Sequence, residues 1–304
     1  MIRLVVAFVI TIPLGLDLHI PVPEDNPLFR ERIEVGRRLF HDRRLSRDQS
    51  LACASCHDPK RAFSTAKPRS VGVFGRQGGR NVPTLINRGY GKLFFWDGRV
   101  TSLEEQVLKP IQDPYEMDMT LTEASSRVGL STDDISRSLA SYVRSILSGN
   151  APFDRFVNGD QRALAAEQRT GLQIFRTKAN CVACHVGPNF TDERLHNTGI
   201  AWRPSGGPGA AGRYLDDGHS AVSGKESDRG RFKTPTLREI DRTSPYMHDG
   251  SKATLEDVVN FYDDGGRPNP NLDIEIRPVG LTVEEKRALV SFLRSLSGRV
   301  REGL

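Results

Sequence analysis

All four cysteines of this 304-residue chain lie in two Cys-x-x-Cys-His motifs. The first motif comprises Cys53, Cys56 and His57, and the second comprises Cys181, Cys184 and His185. This pattern is typical of covalent c-type haem attachment, in which the thiols form thioethers and the imidazole binds iron. The alternatives are a redox CxxC, which needs no histidine, and a zinc site, which would have to unite both motifs. We predict two covalently bound haem c groups, one in each half.

The two halves differ at the position expected to face each haem iron opposite its histidine. Tyr262 follows His248 by the same interval that separates Pro110 from Trp96. If these equivalent positions face iron, a phenolate closes the second haem. Proline has no donor atom to offer, so the first haem stays open to a small molecule. Met247 and His248 are competing ligands of the second haem, and a packed core tyrosine is the alternative interpretation of Tyr262.

Matching segments in the two halves indicate which elements position these residues. A helix precedes each motif, a Pro-Thr-Leu segment follows it, and a helix with apolar residues at helical spacing closes each half. The paired segments are Gly36–Phe40 with Gly171–Phe175, Asn81–Leu85 with Lys233–Leu237, Trp96–Val107 with His248–Val259, and Ser141–Gly149 with Ser291–Gly298. Capping-box patterns predict the starts of the two closing helices, at Ser131 with Asp134 and at Thr282 with Glu285.

The predicted fold is all-α, with two cytochrome c-like domains packed together and one covalent c-type haem in each. Strand-like alternation is nearly absent from the sequence. The N-terminal domain, with the open haem, is expected at residues 21–160, and the C-terminal domain, with the six-coordinate haem, at residues 161–304. The boundary should lie near Asn158 to Ala165. Glycine and serine enrichment predicts a long loop from Arg203 to Arg229.

The first residues predict an export signal, because haem attachment of this kind takes place outside the cytoplasm. Arg3 precedes an apolar run from Leu4 to Leu16 that is too short to span a bilayer comfortably. Residues 1–20 are the predicted signal peptide, and the mature chain should begin between Asp17 and Val22, although the usual small-residue cleavage site is absent. An uncleaved anchor is the alternative. We expect a periplasmic protein without stable membrane insertion.

The formal net charge of +5 is spread along the chain rather than gathered in runs. Such a distribution is typical of a solvated surface and favours an acidic protein partner only weakly. Nucleic acid binding is not indicated.

Longer segments around these residues carry a family resemblance. They read RNVPTL, FWDGR, SLEEQVLKPI, KTPTLREIDRTSPYMHDG and TLEDVVNFYDDGG. With the two haem motifs, they make nearly the whole chain after the predicted signal similar to the bacterial di-haem cytochrome c peroxidase family. The resemblance is closer to the MauG-like branch of that family. It implies an enzyme that acts on hydrogen peroxide at the N-terminal haem.

The resemblance also implies roles for particular residues. Trp96 is similar to a tryptophan that lies between the two haems. Gln106 and Glu116 match a polar pair at the peroxide site, and Pro110 matches the proline beside them. Tyr262 occupies the position at which ordinary peroxidases carry methionine and MauG carries tyrosine. We therefore expect the catalytic group to comprise Trp96, Gln106, Glu116 and Pro110.

A calcium ion between the domains is implied as well, with Asn81, Thr243 and Pro245 as ligands, the last two through their carbonyl oxygens.

Two positions depart from the family pattern. Val73 stands where ordinary members carry a displaceable distal histidine, so activation by reduction should be unnecessary. Ala179 replaces a tryptophan that MauG uses to reach its protein substrate, so that particular substrate is not expected.

Peroxide cleavage requires a proton to move from the inner to the outer oxygen, which a carboxylate near its pKa does well. We expect Glu116 to move this proton and the Gln106 amide to orient the peroxide. A phenolate ligand favours ferric and higher iron, so Tyr262 should help the second haem to share oxidising equivalents with the first.

Three functions compete for this chain. In the first, peroxide reacts at the N-terminal haem, both haems store oxidising equivalents, and a residue of a partner protein is oxidised at a distance. In the second, a peroxide-scavenging peroxidase is fed by a small electron-donor protein. The third, a di-haem electron carrier, needs two closed haems, and no ligand is found to close the first. Tyr262 and Val73 favour the first function.

Overall fold

The structure is a computed structural model that describes residues 11–205 and 212–303. In this part of the chain, the α-helices are α1 Arg30–Phe40, α2 Cys53–Cys56, α3 Leu103–Gln106, α4 Lys109–Gln112, α5 Leu121–Val128, α6 Thr132–Arg144, α7 Pro152–Val157, α8 Ala166–Arg176, α9 Ser220–Ser223, α10 Leu255–Asp263 and α11 Val283–Arg294. The strands are β1 Leu147–Gly149, β2 Leu195–His196, β3 Trp202–Pro204, β4 Gly212–Tyr214, β5 Phe232–Lys233 and β6 Arg299–Arg301. Short 3-10 helices form at Arg43–Leu45, Pro59–Arg61, Val73–Gly75, Arg88–Tyr90, Cys181–Ala183, Glu226–Asp228 and Ile240–Arg242.

The buried apolar residues form two main clusters, one between Ile33 and Ile146 and the other between Leu164 and Leu296. The clusters have equivalent centres. Phe40 of α1 packs on Tyr142 of α6 with ring centroids 5.1 Å apart, and Phe175 of α8 packs on Phe292 of α11 at 5.2 Å. The predicted boundary between the halves falls in the segment that joins α7 to α8. Each half thus builds its core from the helix before its haem motif and its closing helix.

A glycine permits each of these helix pairs to approach closely. A Cβ added to Gly36 of α1 would lie 1.9 Å from the carbonyl oxygen of Ser138 in α6. A Cβ added to Gly171 of α8 would lie 1.9 Å from the carbonyl oxygen of Ala288 in α11. The first residues of the matched Gly36–Phe40 and Gly171–Phe175 segments therefore set the spacing of the helices behind both haem motifs.

The Gly171→Ala variant is expected to lower the stability of the second half by about 1–3 kcal/mol, because the added methyl group must push α8 away from α11. Gln173→Ala, on the exposed face of the same helix, is the matched control and should change stability little. The measurement is the denaturant midpoint of the haem-loaded proteins, followed by far-ultraviolet circular dichroism. Equal midpoints for the two variants would show that the close approach is not required.

The predicted capping box at Thr282 is confirmed, whereas Ser131 forms only the N-cap half of its box. The Ser131 hydroxyl accepts a hydrogen bond from the backbone N–H of Asp134 at 3.0 Å and starts α6. Thr282 accepts from the backbone N–H of Glu285 at 3.2 Å, and the Glu285 carboxylate accepts from the Thr282 N–H at 2.8 Å. These bonds satisfy N–H groups that an uncapped helix would leave without partners.

The matched segments that start at Trp96 and His248 differ in their helices. In the second half, α10 runs without interruption from Leu255 through Tyr262. In the first half, α3 ends at Gln106, and Pro110 lies in the first turn of a separate helix, α4. A proline ring clashes with the carbonyl group four residues earlier, which here belongs to Gln106. Pro110, which stands where the second half has Tyr262, therefore offers no ligand to iron and also interrupts the helix.

The predicted all-α fold is helix-rich in the structure, and it also contains six short strands that pair among the described residues. β1 pairs antiparallel with β6, β2 with β5, and β3 with β4. The β1–β6 pair joins the chain that follows α6 to the chain that follows α11, with Ser148 opposite Val300. None of the strands exceeds three residues, so they leave no alternating pattern to detect in the sequence.

The prediction of a long loop from Arg203 to Arg229 is wrong for the part of that segment that the structure describes. The end of β3, all of β4, the helix α9 and a 3-10 turn fall within it, while residues 206–211 lie outside the described chain. Trp202 and Tyr214 face each other across the β3–β4 pair with ring centroids 4.8 Å apart. Side-chain packing between these strands therefore orders a region whose composition is typical of loops.

Part of the predicted signal peptide packs on the body of the protein. Leu16 and Ile20 are buried in a small cluster with Leu147. The Gly15 carbonyl accepts a hydrogen bond from the fully buried Arg238 at 2.8 Å, and the Asp17 carbonyl accepts one from the Tyr90 hydroxyl at 2.7 Å. Residues 1–10 lie outside the described chain, and the signal stays a prediction. No helix of residues 11–205 and 212–303 has both the length and the apolar character needed to cross a membrane.

Candidate haem and peroxide site

The first haem motif forms the short helix α2, and His57 follows directly after it. Nδ1 of His57 lies 3.1 Å from the carbonyl oxygen of Phe63. Phe63 has a φ of 57°, a left-handed conformation that is uncommon for a residue with a side chain. This contact orients the ring and leaves Nε2 as the nitrogen able to bind a metal.

The second motif repeats this arrangement. Nδ1 of His185 lies 2.8 Å from the carbonyl oxygen of Phe190, whose φ is 51°. Burial lowers the pKa of both His57 and His185 to about 4, so both rings are neutral at neutral pH. Neutral imidazoles with an oriented second nitrogen are suitable axial ligands for haem iron.

The thiols do not fit a redox-active CxxC. Burial, together with the charge of the second cysteine in each motif, raises the pKa of Cys53 to about 12 and that of Cys181 to about 12. A redox-active cysteine instead requires a lowered thiol pKa. Both motifs therefore favour covalent attachment, which is the use that also explains the histidines.

A cavity of about 1000 Å³ lies between the two motifs. Of the predicted site residues, it is lined by Cys56, His57, Asn81, Trp96, Gln106, Pro110, Glu116, Cys181, Cys184, His185, Thr243, Pro245 and Tyr262. Cys53 instead packs against the core of the first half. The structure thus gathers residues that lie far apart in the sequence around one space. Both motifs present their histidines to this space, so the residues fit a pair of c-type haems.

The predicted peroxide-site residues border the cavity in the first half. Gln106 ends α3, Pro110 begins the next helix, and Glu116 lies in the turn that follows α4. The side chains of Gln106 and Glu116 make no hydrogen bond within the described chain. Burial, followed by the nearby Asp113 carboxylate, raises the pKa of Glu116 to about 7, and Arg99 opposes this shift. A half-buried carboxylate that titrates near neutral pH is able both to accept and to return a proton.

Tyr262 borders the cavity in the second half, on the uninterrupted helix α10. Its hydroxyl group makes no hydrogen bond within the described residues, although buried tyrosine hydroxyls usually have a partner. Burial, followed by the Cys184 and Cys181 sulfurs, raises the pKa of Tyr262. Ionisation of the phenol therefore requires a compensating positive charge, which bound iron would supply.

The competing ligands lie at the same cavity but in other surroundings. His248 stacks on Phe232 with ring centroids 3.6 Å apart, and it lies edge-on to Trp96 with ring centroids 6.5 Å apart. Burial lowers the pKa of His248 to about 4. Met247 has a φ of 72° in the loop before α10. The contact with Trp96 agrees with the pairing of His248 and Trp96 in the repeat.

Trp96 is bonded to both halves of the protein. Its indole N–H donates to the carbonyl oxygen of Asn81 at 2.8 Å, and its own carbonyl accepts from the N–H of Lys233 at 2.7 Å. With His248 against its ring, Trp96 lies where the first half meets the second. The family resemblance implies a tryptophan between the two haems, and this role of Trp96 stays a prediction.

An ion-pair network beside Trp96 is not evident from the sequence. Arg80 donates to both carboxylate oxygens of Asp216, at 2.7 and 2.8 Å, and to Asp97 at 2.6 Å. Asp216 belongs to the second half, so these bonds join the halves next to the cavity. The only signal in the sequence is the position of Arg80 and Asp97 beside the matched Asn81 and Trp96.

His196 is another residue whose surroundings could not be predicted. Its Nε2 lies 2.9 Å from Asp192, and its Nδ1 lies 3.2 Å from Asp273. Hydrogen bonding to Asp273, then Cys184 and Asp192, raises the pKa of His196 to about 11. Possible ligand atoms of Cys184, Asp192 and His196 lie within 4.8 Å of one another, the one such three-residue cluster among the described residues. Because Cys184 is expected to carry haem, we assign this cluster to the second haem site.

The predicted calcium ligands offer oxygen atoms of the kind that bind a cation, and their role as ligands stays a prediction. The Asn81 amide nitrogen donates to the carbonyls of Lys67 and Pro68, at 3.3 and 3.2 Å, so its oxygen is directed elsewhere. The carbonyl oxygens of Thr243 and Pro245 accept no hydrogen bond within the described chain. All three residues border the cavity, and oxygen atoms of amides and carbonyls are suitable ligands for Ca²⁺.

Comparisons with known proteins agree with the site. The sequence profile of the family described as "Di-haem cytochrome c peroxidase" matches residues 30–131. "Cytochrome-c peroxidase IdrP2" of Denitromonas iodatirespirans is 37% identical over 91% of this chain and 84% of its own. "Methylamine utilization protein MauG" of Methylorubrum extorquens is 36% identical over 91% of this chain and 81% of its own.

Solved structures show the same fold. A "MauG-like protein associated with microbial copper homeostasis" has a TM-score of 0.81 at 30% identity, covering 95% of this chain and 93% of its own. The "diheme peroxidase BthA from Burkholderia thailandensis" has a TM-score of 0.76 at 23% identity, covering 90% and 87%, which supports the fold alone.

The chain belongs to the di-haem cytochrome c peroxidase and MauG family. It is therefore an oxidoreductase of the di-haem c-type peroxidases, and membership implies haem as its cofactor. The family resemblance and the enzyme class predicted from the sequence are confirmed. Relatives with both names occur at similar identity, so the choice between their activities must be argued from this chain's own residues.

Proposed function

We propose that this protein is a periplasmic MauG-like enzyme with two covalent haem c groups, which uses hydrogen peroxide at its N-terminal site to oxidise a residue of a partner protein. One observation carries the proposal. At equivalent positions, the first half has Pro110 beside Gln106 and Glu116, and the second half has the phenol of Tyr262. The side chains of Gln106, Glu116 and Tyr262 have no hydrogen-bond partner in the described part of the chain. This asymmetry favours one open site and one closed site.

Haem held by His57 in the first half, and by His185 and Tyr262 in the second, would supply the redox-active iron for oxidation by peroxide. The residues of the chain then determine the proton path. The Glu116 carboxylate accepts the proton of the inner peroxide oxygen and returns it to the outer oxygen, which leaves as water. The Gln106 amide N–H donates to the peroxide and keeps it in line with Glu116. Pro110 offers no competing donor atom.

The other residues serve the connection between the sites. Trp96 lies between the halves and provides a polarisable contact from the first site to the second. Tyr262, as a phenolate, would stabilise the more oxidised states of the second haem. Calcium at Asn81, Thr243 and Pro245 would tie the loop before Trp96 to the loop before α10. The domains at residues 21–160 and 161–304 are part of the same proposal.

A second function is favoured by a different observation. Val186, next to the second haem ligand, is 42% exposed, and Ile274 is 89% exposed beside Glu275, whose carboxylate accepts from the Asn180 amide at the second motif. These apolar side chains offer a contact surface for a small electron-donor protein, as a peroxide-scavenging peroxidase would need.

To distinguish the two functions, peroxide turnover with a reduced small c-type cytochrome is compared with peroxide-dependent oxidation of proteins encoded beside this one. The oxidised residues of those proteins are identified by peptide mass spectrometry. Turnover with the cytochrome alone would favour scavenging.

The resting ferric protein is expected to give one high-spin signal and one low-spin signal in electron paramagnetic resonance. The high-spin signal would come from the N-terminal haem, which Pro110 leaves without a sixth ligand. The low-spin signal would come from a haem bound by His185 and Tyr262. Two low-spin signals would contradict the assignment of an open site.

A further inference from the structure

The loop from Ser70 to Gly78, here called the 70–78 loop, is a small hairpin beside the peroxide site. Val71 pairs antiparallel with Gln77, and the N–H of Gly78 donates to the carbonyl of Ser70 at 3.0 Å. The 3-10 turn Val73–Gly75 forms its tip. This loop carries the position at which ordinary family members have a displaceable histidine, and Val73 there is fully buried.

The 70–78 loop is joined directly to the turn that carries Glu116. The N–H of Val73 donates to the carbonyl oxygen of Glu116 at 2.9 Å. A Cβ added to Gly72 would lie 2.0 Å from the carbonyl oxygen of Tyr115 and 2.7 Å from that of Glu116. Only glycine therefore permits the two backbones to lie this close, since its φ of −86° imposes no requirement of its own.

Arg76 makes a second connection between the loop and the turn. Its Nη1 donates to the carbonyl oxygen of Pro114 at 2.8 Å and to the Asp118 carboxylate at 3.0 Å. These two acceptors flank Glu116 in the chain. On the other side, the guanidinium lies over the ring of Phe74, 5.1 Å from its centroid. The arginine is therefore held by the loop tip while it holds both ends of the Glu116 turn.

We propose that Gly72 and Arg76 are positioning residues, which hold the backbone of the Glu116 turn so that the Glu116 carboxylate meets peroxide in the correct place. The inference rests on the proposed role of Glu116. The Glu116 side chain makes no hydrogen bond to any residue that the structure describes, so its position depends on the backbone beneath it. In a general acid–base step, a displacement of about 1 Å is enough to cost up to ~10²-fold in rate. The residues that fix the turn therefore contribute to catalysis without touching peroxide.

The first test is the Gly72→Ala variant. The added methyl group must displace the carbonyls of Tyr115 and Glu116, and the rate constant for peroxide is expected to fall by about tenfold or more. Gly79→Ala is the matched control, because an added Cβ there has no atom within 4 Å. The control should react with peroxide at the wild-type rate. Carbon monoxide binding to the reduced protein should be unchanged in both variants, because it needs an open haem but no proton transfer.

The second test measures whether the loop acts through Glu116. In the Glu116→Gln background, Gly72→Ala should slow the peroxide reaction by less than about twofold, because the group that it displaces is already absent. An equal loss in both backgrounds would overturn the proposal, as would slower carbon monoxide binding, which would indicate a collapsed pocket. If Glu116→Gln alone leaves the rate unchanged, the proposed role of Glu116 fails and the positioning role fails with it.

A third variant keeps the proposal testable if Gly72→Ala does not fold. Arg76→Met removes both hydrogen bonds to the turn and keeps an apolar stem of similar length. It should lower the peroxide rate constant by about tenfold in the wild-type background, again without an effect in the Glu116→Gln background. Arg76→Lys retains a cationic donor and should recover part of the rate. Wild-type rates in Arg76→Met, with Glu116→Gln slow, would overturn the positioning role while leaving the peroxide function intact.

Discussion

The Glu116→Gln variant is expected to react with hydrogen peroxide at least ~10²-fold more slowly than the wild-type protein, while both haems stay attached. Glutamine has nearly the same shape as glutamate but cannot take up the proton of the inner peroxide oxygen. The measurement is stopped-flow absorbance after mixing with peroxide. Glu105→Gln is the matched control, because the Glu105 carboxylate is exposed and pairs with Lys109 at the surface. If the Glu116 variant kept the wild-type rate constant, Glu116 would have no part in proton transfer.

The pH dependence has a definite direction. Burial and the Asp113 carboxylate raise the pKa of Glu116 to about 7, and the ionised form is the one that accepts the proton. The rate should therefore fall as the pH falls through about 7, and Glu116→Gln should lack this step. Stability runs the other way. Because the folded protein holds the Glu116 proton more tightly than the unfolded chain, its free energy of unfolding should decrease as the pH rises from about 4.5 to about 7. The glutamine variant should lack that decrease as well.

Local chemistry made much of the site predictable from the sequence. The haem motifs need cysteine and histidine at a fixed spacing, so the pattern identifies the attachment residues directly. The repeat then placed Pro110 opposite Tyr262, and the structure shows these residues on a broken helix and an intact helix respectively. The helix starts at Ser131 and Thr282 were predictable for the same reason, since the hydrogen bonds that cap them join residues three positions apart.

Contacts between distant segments could not be predicted. The Phe63 and Phe190 carbonyls that orient the ligand histidines depend on left-handed backbone conformations, and phenylalanine gives no signal for them. The β1–β6 pair depends on how the halves dock. The connection between Gly72 and the Glu116 turn joins residues that α3 and α4 separate in the sequence. A glycine at such a position can serve many purposes, so the sequence alone does not identify its contact. Each of these features becomes visible only when the tertiary fold brings the two partners together.

Replacing Tyr262 with histidine is expected to abolish peroxide-dependent oxidation of the partner protein while leaving the reaction with peroxide at the wild-type rate. Burial raises the pKa of the Tyr262 phenol, so this tyrosine is a phenolate only if bound iron supplies the opposing charge. A neutral imidazole in its place stabilises the ferric state less. The reduction potential of the second haem should therefore rise, and its more oxidised states should become harder to reach. The peroxide site of Gln106, Pro110 and Glu116 is untouched by this change.

The variant separates the two functions through several independent measurements. Its second haem should remain low-spin by electron paramagnetic resonance, and a redox titration should show a higher potential than in the wild-type protein. Tyr262→Phe, which removes only the hydroxyl group, should instead leave that haem without its sixth ligand. Tyr246→Phe is the matched control, because the Tyr246 hydroxyl donates to the Ile240 carbonyl at 2.9 Å and has no proposed role with iron. If Tyr262→His still oxidised the partner at the wild-type rate, Tyr262 would not be the functional ligand, and peroxide scavenging would become the better account of this enzyme.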